Sequence, residues 1–491
     1  MREKIFSAVV VFLLAAVPIV LLPFPPVTDL PQHIGQLLTA IEHAHDASGP
    51  FVILWGAPNT LCYGFLYLLE RVFSLAVLGR AVLLAMTASW IIAIYTLAAR
   101  RRRPPETALL ASLFLFNISF YWGFLNFWVG FPVFIAWFFL TTRRDPKAPV
   151  GWIALLVLTS FLLYGSHMFW LFVGGLWFGL ISLVRRLPFR ALVIRAATLI
   201  PAGLLTIFWF MKFSVYQTAS ELDKAAEWST PPFEKFFTLW FRDSAFGGGA
   251  GYLETILFYF VLAWIAAAVF TNRKELKQRI DSDLLILAGL LFVISFFAPD
   301  MARNTIYVSG RWVAPFFIFL ILALPAPRVP AAVRKSAAAA AVLAFFLVTT
   351  QHWIAFDRTE LAGFRESLAA IPKGAHLLCL DFAKGSRYFK YRPFLQIYAY
   401  AQIFRGADLA YPFAYHGTGL VAFREPFKMP WKNQLDWYPD HAQGVDILHF
   451  DYVLVNGTPY HHGHRLPKTL LTPVTAEARW RLYRVEGSGP R

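Results

Sequence analysis

Apolar runs of roughly 20 residues recur along the chain as far as Trp353, and this is the length an α-helix needs to cross a bilayer. Hydrophobic residues make up 58% of the sequence and charged residues only 15%, whereas soluble proteins carry about 25% charged residues. After Trp353 the composition becomes that of an ordinary soluble domain. The pattern predicts an α-helical polytopic membrane protein with about eleven transmembrane helices and a C-terminal extracytoplasmic α/β domain. Residues 1–353 form the predicted transmembrane body, and residues 354–491 form the predicted α/β domain.

Basic residues predict the orientation of these helices, because cytoplasmic loops of membrane proteins are enriched in Lys and Arg. Two basic residues precede an uncleaved first span and put the N-terminus in the cytoplasm. Residues 100–103 are four arginines, and they are cytoplasmic only if residues 61–77, with Glu70 and Arg71 at their middle, lie on the outer surface. The same alternation puts the C-terminal domain outside. Because the net charge of +16 comes from such short clusters, no nucleic acid is expected as a partner.

The outer loop 23–79 contains Asp29, the first candidate functional residue. Residues 30–47 carry apolar side chains at helical spacing and predict an amphipathic helix on the outer membrane surface, with Thr28 or Asp29 as its N-cap. A carboxylate at the membrane edge is partly desolvated, which raises its pKa and suits it to act as a base. His33 lies one helical turn further along the same face. Two interpretations of Asp29 stay open at this point: a base in an active site, or a helix cap.

The C-terminal part has the pattern of an α/β domain. Residues 376–381, 452–456 and 480–485 predict strands, and residues 361–371 predict a helix. Three histidines within residues 461–464 follow the second strand, where a polar loop is favoured over a metal site. Cys62 and Cys379 both fall on the outer side, so a disulfide between them stays open. The chain has no P-loop, GxSxG or HExxH motif, so any chemistry must be assembled from residues on the outer face.

The architecture and two short motifs resemble the GT-C superfamily of membrane glycosyltransferases, which use polyprenyl-phosphate-linked sugars. The first motif is Asp29-Leu-Pro-Gln-His33 on the outer loop. The second, Tyr121-Trp-Gly-Phe-Leu-Asn126-Phe-Trp-Val-Gly130, is similar to a Gly- and Asn-bearing loop between the third and fourth spans of many bacterial members. The resemblance in architecture covers the whole chain. It implies a location in the bacterial cytoplasmic (inner) membrane, a polyprenyl-phosphate-sugar donor, and a glycan, lipid or protein acceptor.

The resemblance also implies roles for the residues of the first motif. Asp29 becomes the catalytic carboxylate, as a base toward the acceptor or as a metal ligand, and His33 assists it. Many members of the superfamily carry paired acidic residues in this loop, whereas Thr28 precedes Asp29 here. A divalent cation is therefore possible but not required by the sequence, and its ligands are unknown.

A lipid-phosphate donor needs cations on the outer face, and Arg suits this task because its guanidinium engages two phosphate oxygens at once. The candidates, in order of preference, are Arg311, Arg303, Lys212 and Arg242. The alternative for each is that it extends to lipid headgroups. His167 and Asn126 are candidates for the substrate pocket, although a histidine bonded to a neighbouring helix is the more common finding.

These expectations together indicate a hexosyl- or pentosyltransferase of the cell envelope. Two alternatives remain: a transporter or flippase of a lipid-linked or envelope precursor, and a non-enzymatic envelope assembly protein. A transporter is expected to carry ionisable residues near the midpoints of its spans and to consist of symmetric halves. The charges here lie almost entirely at the ends of the predicted spans, which favours an enzyme at the outer face.

Overall fold

The computed structural model describes residues 2–46, 48–143, 150–213, 226–302, 305–417, 419–425, 427–457, 467, 469–476 and 478–487. Helices dominate as far as Glu360, and the strands of the main sheet follow. The first eleven helices are α1 Arg2–Leu21, α2 Leu30–Glu42, α3 Leu61–Glu70, α4 Leu75–Arg100, α5 Pro105–Ala111, α6 Ile118–Tyr121, α7 Leu125–Thr141, α8 Val150–Ser166, α9 Met168–Val184, α10 Phe189–Ala197 and α11 Ile200–Phe213. The next are α12 Glu234–Phe237, α13 Trp240–Phe246, α14 Tyr252–Asn272, α15 Leu276–Arg279, α16 Ser282–Phe297, α17 Val313–Ala323 and α18 Ala331–Ala355. The C-terminal part adds α19 Phe364–Ala370, α20 Tyr400–Arg405 and α21 Gly444–Ile447.

Several of these helices are compatible with a membrane protein. Among the described residues, 4 helices are long and apolar enough to cross a bilayer: Arg2–Leu21, Leu75–Arg100, Tyr252–Asn272 and Ala331–Glu360. The number rises to 5 if α10 and α11, which are bent by 45° relative to each other, form one broken span. Further apolar helices of 10–17 residues accompany them. The membrane character is therefore confirmed in its coarse form, whereas the predicted count of about eleven spans is not.

In one of the predicted spans, the observed structure differs clearly from a continuous helix. The sequence of residues 107–120 predicts a continuous span, but the structure has α5, a 3₁₀ turn over Ser112–Phe114, and the short helix α6. The break has a local cause, because the side chain of Asn117 caps α6 by accepting hydrogen bonds from the backbone N–H groups of Ser119 and Phe120. An asparagine in an apolar run therefore starts a new helix inside the predicted span.

The amphipathic helix of the outer loop is present as α2, but its surroundings differ from those predicted. Most of α2 is buried, including its polar residues Gln32 and Gln36. Gln32 donates to the side chain of Gln396 at 2.8 Å, and the backbone N–H of Leu420 donates to Gln36 at 2.8 Å. The polar face of α2 is covered by the C-terminal part of the chain, so the helix does not lie exposed on the outer surface.

The C-terminal part contains a sheet of five strands in the order β5-β4-β7-β9-β8. Its strands are β4 His376–Asp381, β5 Asp408–Leu409, β7 Tyr452–Asn456, β8 Leu471–Pro473 and β9 Trp480–Val485, and three of them have the predicted bounds. Strand β4 is parallel to β5 and β7, while β9 is antiparallel to β7 and β8. The predicted helix over residues 361–371 is present as α19. Cys62 and Cys379 are both buried and free.

The outer loop and the C-terminal part are joined by a small sheet. Strand β1 Phe51–Ile53 pairs antiparallel with β6 Val421–Phe423. A second hairpin, β2 Met301–Ala302 and β3 Thr305–Ile306, lies before α17. One hydrophobic core extends from the helical body into the five-stranded sheet, and α18 continues as a π-helical turn over Phe356–Glu360. The division of the chain at residue 353 into two domains stays a prediction.

Candidate functional site

The backbone of the second motif holds Asp29 in place. The backbone N–H of Thr28 donates to the carbonyl of Tyr121 at 2.9 Å, and that of Asp29 donates to the carbonyl of Trp122 at 3.0 Å. Asp29 occupies the N-cap position of α2, yet its side chain makes no capping hydrogen bond. The carboxylate is therefore not used as the cap that the sequence allowed as an alternative.

Gly123 permits this close approach of the two segments. Its φ of +76° lies in the left-handed region, and a Cβ at this position would stand 2.8 Å from the backbone nitrogen of Asp29. A side chain here would push the two segments apart. The glycine of the second motif thus sets the position of the carboxylate of the first.

Burial changes the acidity of Asp29. Desolvation raises its pKa to about 7, although the positive charges of Arg311 and His416 act in the opposite direction. A carboxyl group with this pKa exchanges its proton near neutral pH. The first motif, held in place by the second, therefore presents a carboxylate suited to proton transfer.

Arg311 lies on the 3₁₀ turn Gly310–Trp312 and is almost fully buried, with 5% of its surface exposed. Its guanidinium stands 3.7 Å from the ring centroid of Phe124 and donates two hydrogen bonds to the carbonyl of Ile306, at 3.3 and 2.9 Å. No carboxylate among the described residues forms an ion pair with it; Asp29 acts on it only electrostatically. A buried charge normally has a paired counter-charge, so Arg311 is equipped to receive an anion.

His167 lies beside Arg311 at the N-cap of α9. Its Nε2 is 3.2 Å from Nη1 of Arg311, and its Nδ1 accepts the backbone N–H of Phe169 at 3.1 Å. Burial, and then the charge of Arg311, hold the pKa of His167 well below its usual value. A neutral imidazole has only one acceptor nitrogen, yet two donors face this ring. An anion beside the pair could accept from both Arg311 and His167.

His33 is buried but turned toward another neighbour. Its Nδ1 lies 2.8 Å from the hydroxyl of Tyr63, which also lies 2.9 Å from the side-chain oxygen of Gln36. Burial lowers the pKa of His33 to about 4, against a backbone hydrogen bond to Gly123. The ring is therefore neutral near pH 7. The amide of Asn126 approaches the same tyrosine, and its buried Oδ1 has no partner among the described residues.

Two of the other predicted cations, Arg242 and Lys212, are described by the structure, and each has neighbours other than Arg311. Arg242 is buried and bonded to Asp243 and to the hydroxyl of Thr255, so its charge already has a partner. Lys212 lies at the end of α11, where its amine stands 5.5 Å from the ring centroid of Phe208. Arg303 falls outside the described residues, as do the histidines at 461–464. Of the three predicted cations that the structure describes, Arg311 is the one whose charge acts on Asp29.

The C-terminal part supplies residues that the sequence did not indicate. His416 ends the 3₁₀ helix Phe413–His416, and its charge acts both on Asp29 and on the buried Asp436. The ring of Trp437 is stacked with that of Trp122, with centroids 6.4 Å apart. These residues belong to irregular segments without periodicity. The signal that could have pointed to them is the high content of aromatic residues, which make up 17% of the chain.

The described residues contain no group of three or more His, Cys, Asp and Glu side chains placed to hold a metal ion. Within the described ranges, the charges that act on Asp29 are those of Arg311 and His416, and no second carboxylate is among them. The arrangement can accept a proton at Asp29 and bind an anion at Arg311, close to aromatic rings.

Comparisons of the chain with protein-family models, with curated proteins and with solved structures find no match in any of the three.

Proposed function

We propose that this protein is a membrane glycosyltransferase that moves a sugar from a polyprenyl-phosphate-linked donor to an acceptor at the outer face of the cytoplasmic membrane. The observation that carries the proposal is the buried guanidinium of Arg311, which has no ion-pair partner among the described residues and whose charge acts on Asp29. A base next to an anion-binding cation is what transfer from a phosphate leaving group requires.

In this reaction Asp29 accepts the proton of an acceptor hydroxyl. The hydroxyl oxygen forms a bond to the anomeric carbon of the sugar, while the bond between that carbon and the donor phosphate oxygen breaks. The electron pair of the broken bond leaves with the polyprenyl phosphate. A carboxyl pKa of about 7 serves this step, because the group is a substantially deprotonated yet effective base near neutral pH.

Arg311 and His167 bind the donor phosphate. The guanidinium is already desolvated, so its attraction for the charge that develops on the leaving phosphate is stronger than at an exposed site. Phosphate oxygens accept from Arg311 and from the N–H of a neutral His167, which removes the present conflict of two donors at one ring.

The proposal includes a GT-C-like topology of about eleven spans with the N-terminus in the cytoplasm and the C-terminal region outside. Support comes from the arginines at residues 100–103, the first of which ends the candidate span Leu75–Arg100 while the other three follow it directly. Lys4, at the start of the candidate span Arg2–Leu21, donates to the carbonyl of Ala98 near the end of α4. Asp29 follows the other end of Arg2–Leu21, which agrees with the proposed position on the side opposite the four arginines.

The test compares cells that lack the gene with the same cells supplied with the wild-type protein, Asp29→Asn or Glu42→Gln. Glu42 is an exposed carboxylate at the end of α2, so its variant makes the same chemical change on the same helix. Mass spectrometry of envelope glycans and glycolipids is expected to show one sugar lost in the deletion strain and in Asp29→Asn. Glu42→Gln is expected to restore it.

Equal membrane levels of the three proteins, measured by immunoblot, are the control for folding. Wild-type glycans in cells that carry only Asp29→Asn would refute the assignment of Asp29. An unchanged set of glycans and glycolipids in the deletion strain would refute the glycosyltransferase itself.

A further inference from the structure

A second basic site lies at the opposite ends of the candidate spans from Asp29. It is a pocket whose lining includes five arginines: Arg102, Arg103, Arg279, Arg328 and Arg334. The same pocket is also lined by Pro104, Pro325 and Pro327. The helix α4 ends at Arg100, α14 ends at Asn272, and α18 begins at Ala331, so the ends of three candidate spans surround it. With these three helices as membrane spans, the pocket lies at the level where the bilayer meets water.

The carboxylates nearby do not balance these arginines. Among the described residues, three of them contact the lining: Glu106 bonds Arg334 at 2.7 Å, Glu275 bonds Arg328, and Asp281 lies 3.9 Å from Arg103. Asp281 is also shared with Arg101. Five guanidinium groups against three carboxylates leave an excess of positive charge inside the pocket.

Two of the arginines retain unused donors. Arg103 bonds the carbonyls of Arg279 and Ala323, but its buried Nε has no partner among the described residues. The guanidinium of Arg102 is exposed and likewise has no partner in the part of the chain that the structure describes. Arginines that only extend into solvent do not converge on one pocket in this way.

The backbone at Arg102 makes a left-handed turn at the end of α4. Its φ is +53°, and the N–H of Arg103 donates to the carbonyl of Ala98 at 2.8 Å, which closes α4 in the manner of a Schellman motif. Glycine is favoured at this left-handed position, and another L-residue there costs about 1–2 kcal/mol.

We propose that this pocket binds the phosphate of an anionic membrane lipid headgroup. The excess positive charge and the unused donors of Arg102 and Arg103 match a phosphate diester, because guanidinium groups bind phosphate oxygens in pairs. A soluble phosphate has the same chemistry, but the position at the ends of three candidate spans favours the lipid. The inference does not depend on the proposed transfer reaction, because it uses none of the residues around Asp29.

The test is a lipid titration of the full-length protein in detergent, followed by native mass spectrometry. The probes are phosphatidylglycerol and the zwitterionic phosphatidylcholine, with inorganic phosphate as competitor. The variants are Arg102→Gly, which keeps the left-handed turn and removes the guanidinium, and Arg273→Ala, which removes an exposed arginine outside the lining.

We expect the wild type to retain phosphatidylglycerol in preference to phosphatidylcholine. Arg102→Gly is expected to weaken phosphatidylglycerol binding about fivefold. Its melting temperature is expected to stay unchanged or to rise, because the turn is relieved of strain, and this separates lost binding from lost folding. Arg273→Ala is expected to bind as the wild type does.

Three results would overturn the proposal. Equal binding by Arg102→Gly and the wild type would show that the pocket does not hold the headgroup. Equal weakening by Arg273→Ala would show that overall charge, not the pocket, attracts the lipid. Displacement of phosphatidylglycerol by equimolar inorganic phosphate would identify the site as one for soluble phosphate.

Discussion

Replacing Asp29 by Asn is expected to stabilise the protein above neutral pH while it abolishes transfer. Desolvation raises the pKa of this carboxyl group from 3.8 to about 7 in the folded protein, after the attraction of Arg311 and His416 is included. Since one pKa unit corresponds to about 1.4 kcal/mol, the charged form of Asp29 costs the folded state at most about 4 kcal/mol. Part of Asp29 reaches solvent, which screens the charge, so we expect about half of this amount, about 2 kcal/mol.

The pH dependence of this effect has a definite sign. The folded protein keeps the proton of Asp29 up to about pH 7, whereas the unfolded chain releases it near pH 3.8. The wild type therefore loses stability relative to Asp29→Asn as the pH rises between these two values. The difference is complete above pH 7 and shrinks as the pH falls toward 4.

The measurement is thermal unfolding of the purified full-length protein in detergent, followed by tryptophan fluorescence at about pH 8.5 and about pH 5. The melting temperature of Asp29→Asn is expected to exceed that of the wild type by a few degrees at the higher pH. At the lower pH the difference is expected to be smaller. Glu42→Gln, an exposed neighbour, is expected to melt as the wild type does at both. A lower melting temperature for Asp29→Asn at high pH would show that Asp29 stabilises the fold as an anion, and would refute this account.

Three further predictions concern the same site. The kcat/KM for transfer is expected to fall about tenfold per pH unit below pH 7, as Asp29 becomes protonated; a flat profile from pH 5 to 8 would exclude Asp29 as the base. Arg311→Lys keeps the charge but loses the paired donors, so transfer is expected to fall by about 100-fold or more at unchanged membrane levels, whereas near-normal activity would show that charge alone suffices. Gly123→Ala places a Cβ 2.8 Å from the nitrogen of Asp29 in a left-handed turn, so it is expected to lower stability by about 1–3 kcal/mol in a thermal melt, and an unchanged melt would contradict this.

The elements with a strong local pattern could be predicted from the sequence. Strands β4, β7 and β9 are short apolar runs bounded by turns, and their bounds agree with the prediction. Helix α4 contains the span expected before the arginines, and α2 begins at the residue after Asp29. In each case a few neighbouring residues determine the structure, so periodicity is a sufficient guide.

The surroundings of the site could not be predicted in the same way. The partner of Gln32 is Gln396, which is 364 residues away, and nothing in the pattern of α2 indicates what covers its polar face. His416 and Trp437 come from irregular segments, where no period marks the buried side. The pairing of Arg242 with Asp243 is different, because the two are adjacent in the sequence and the contact could have been anticipated.

The contact of α2 with the C-terminal part has a consequence for the order of events during synthesis. Asp29 and the polar residues of α2 leave the ribosome early, but Gln396 and β6 follow more than 360 residues later. At about 5–20 residues per second, this interval lasts some tens of seconds. During that time Gln32 and Gln36 lack these partners, and Asp29 lacks the influence of His416. A chain released before residue 396 contains both motifs but not the C-terminal cover of α2, so the surroundings of Asp29 are completed only after most of the chain has been translated.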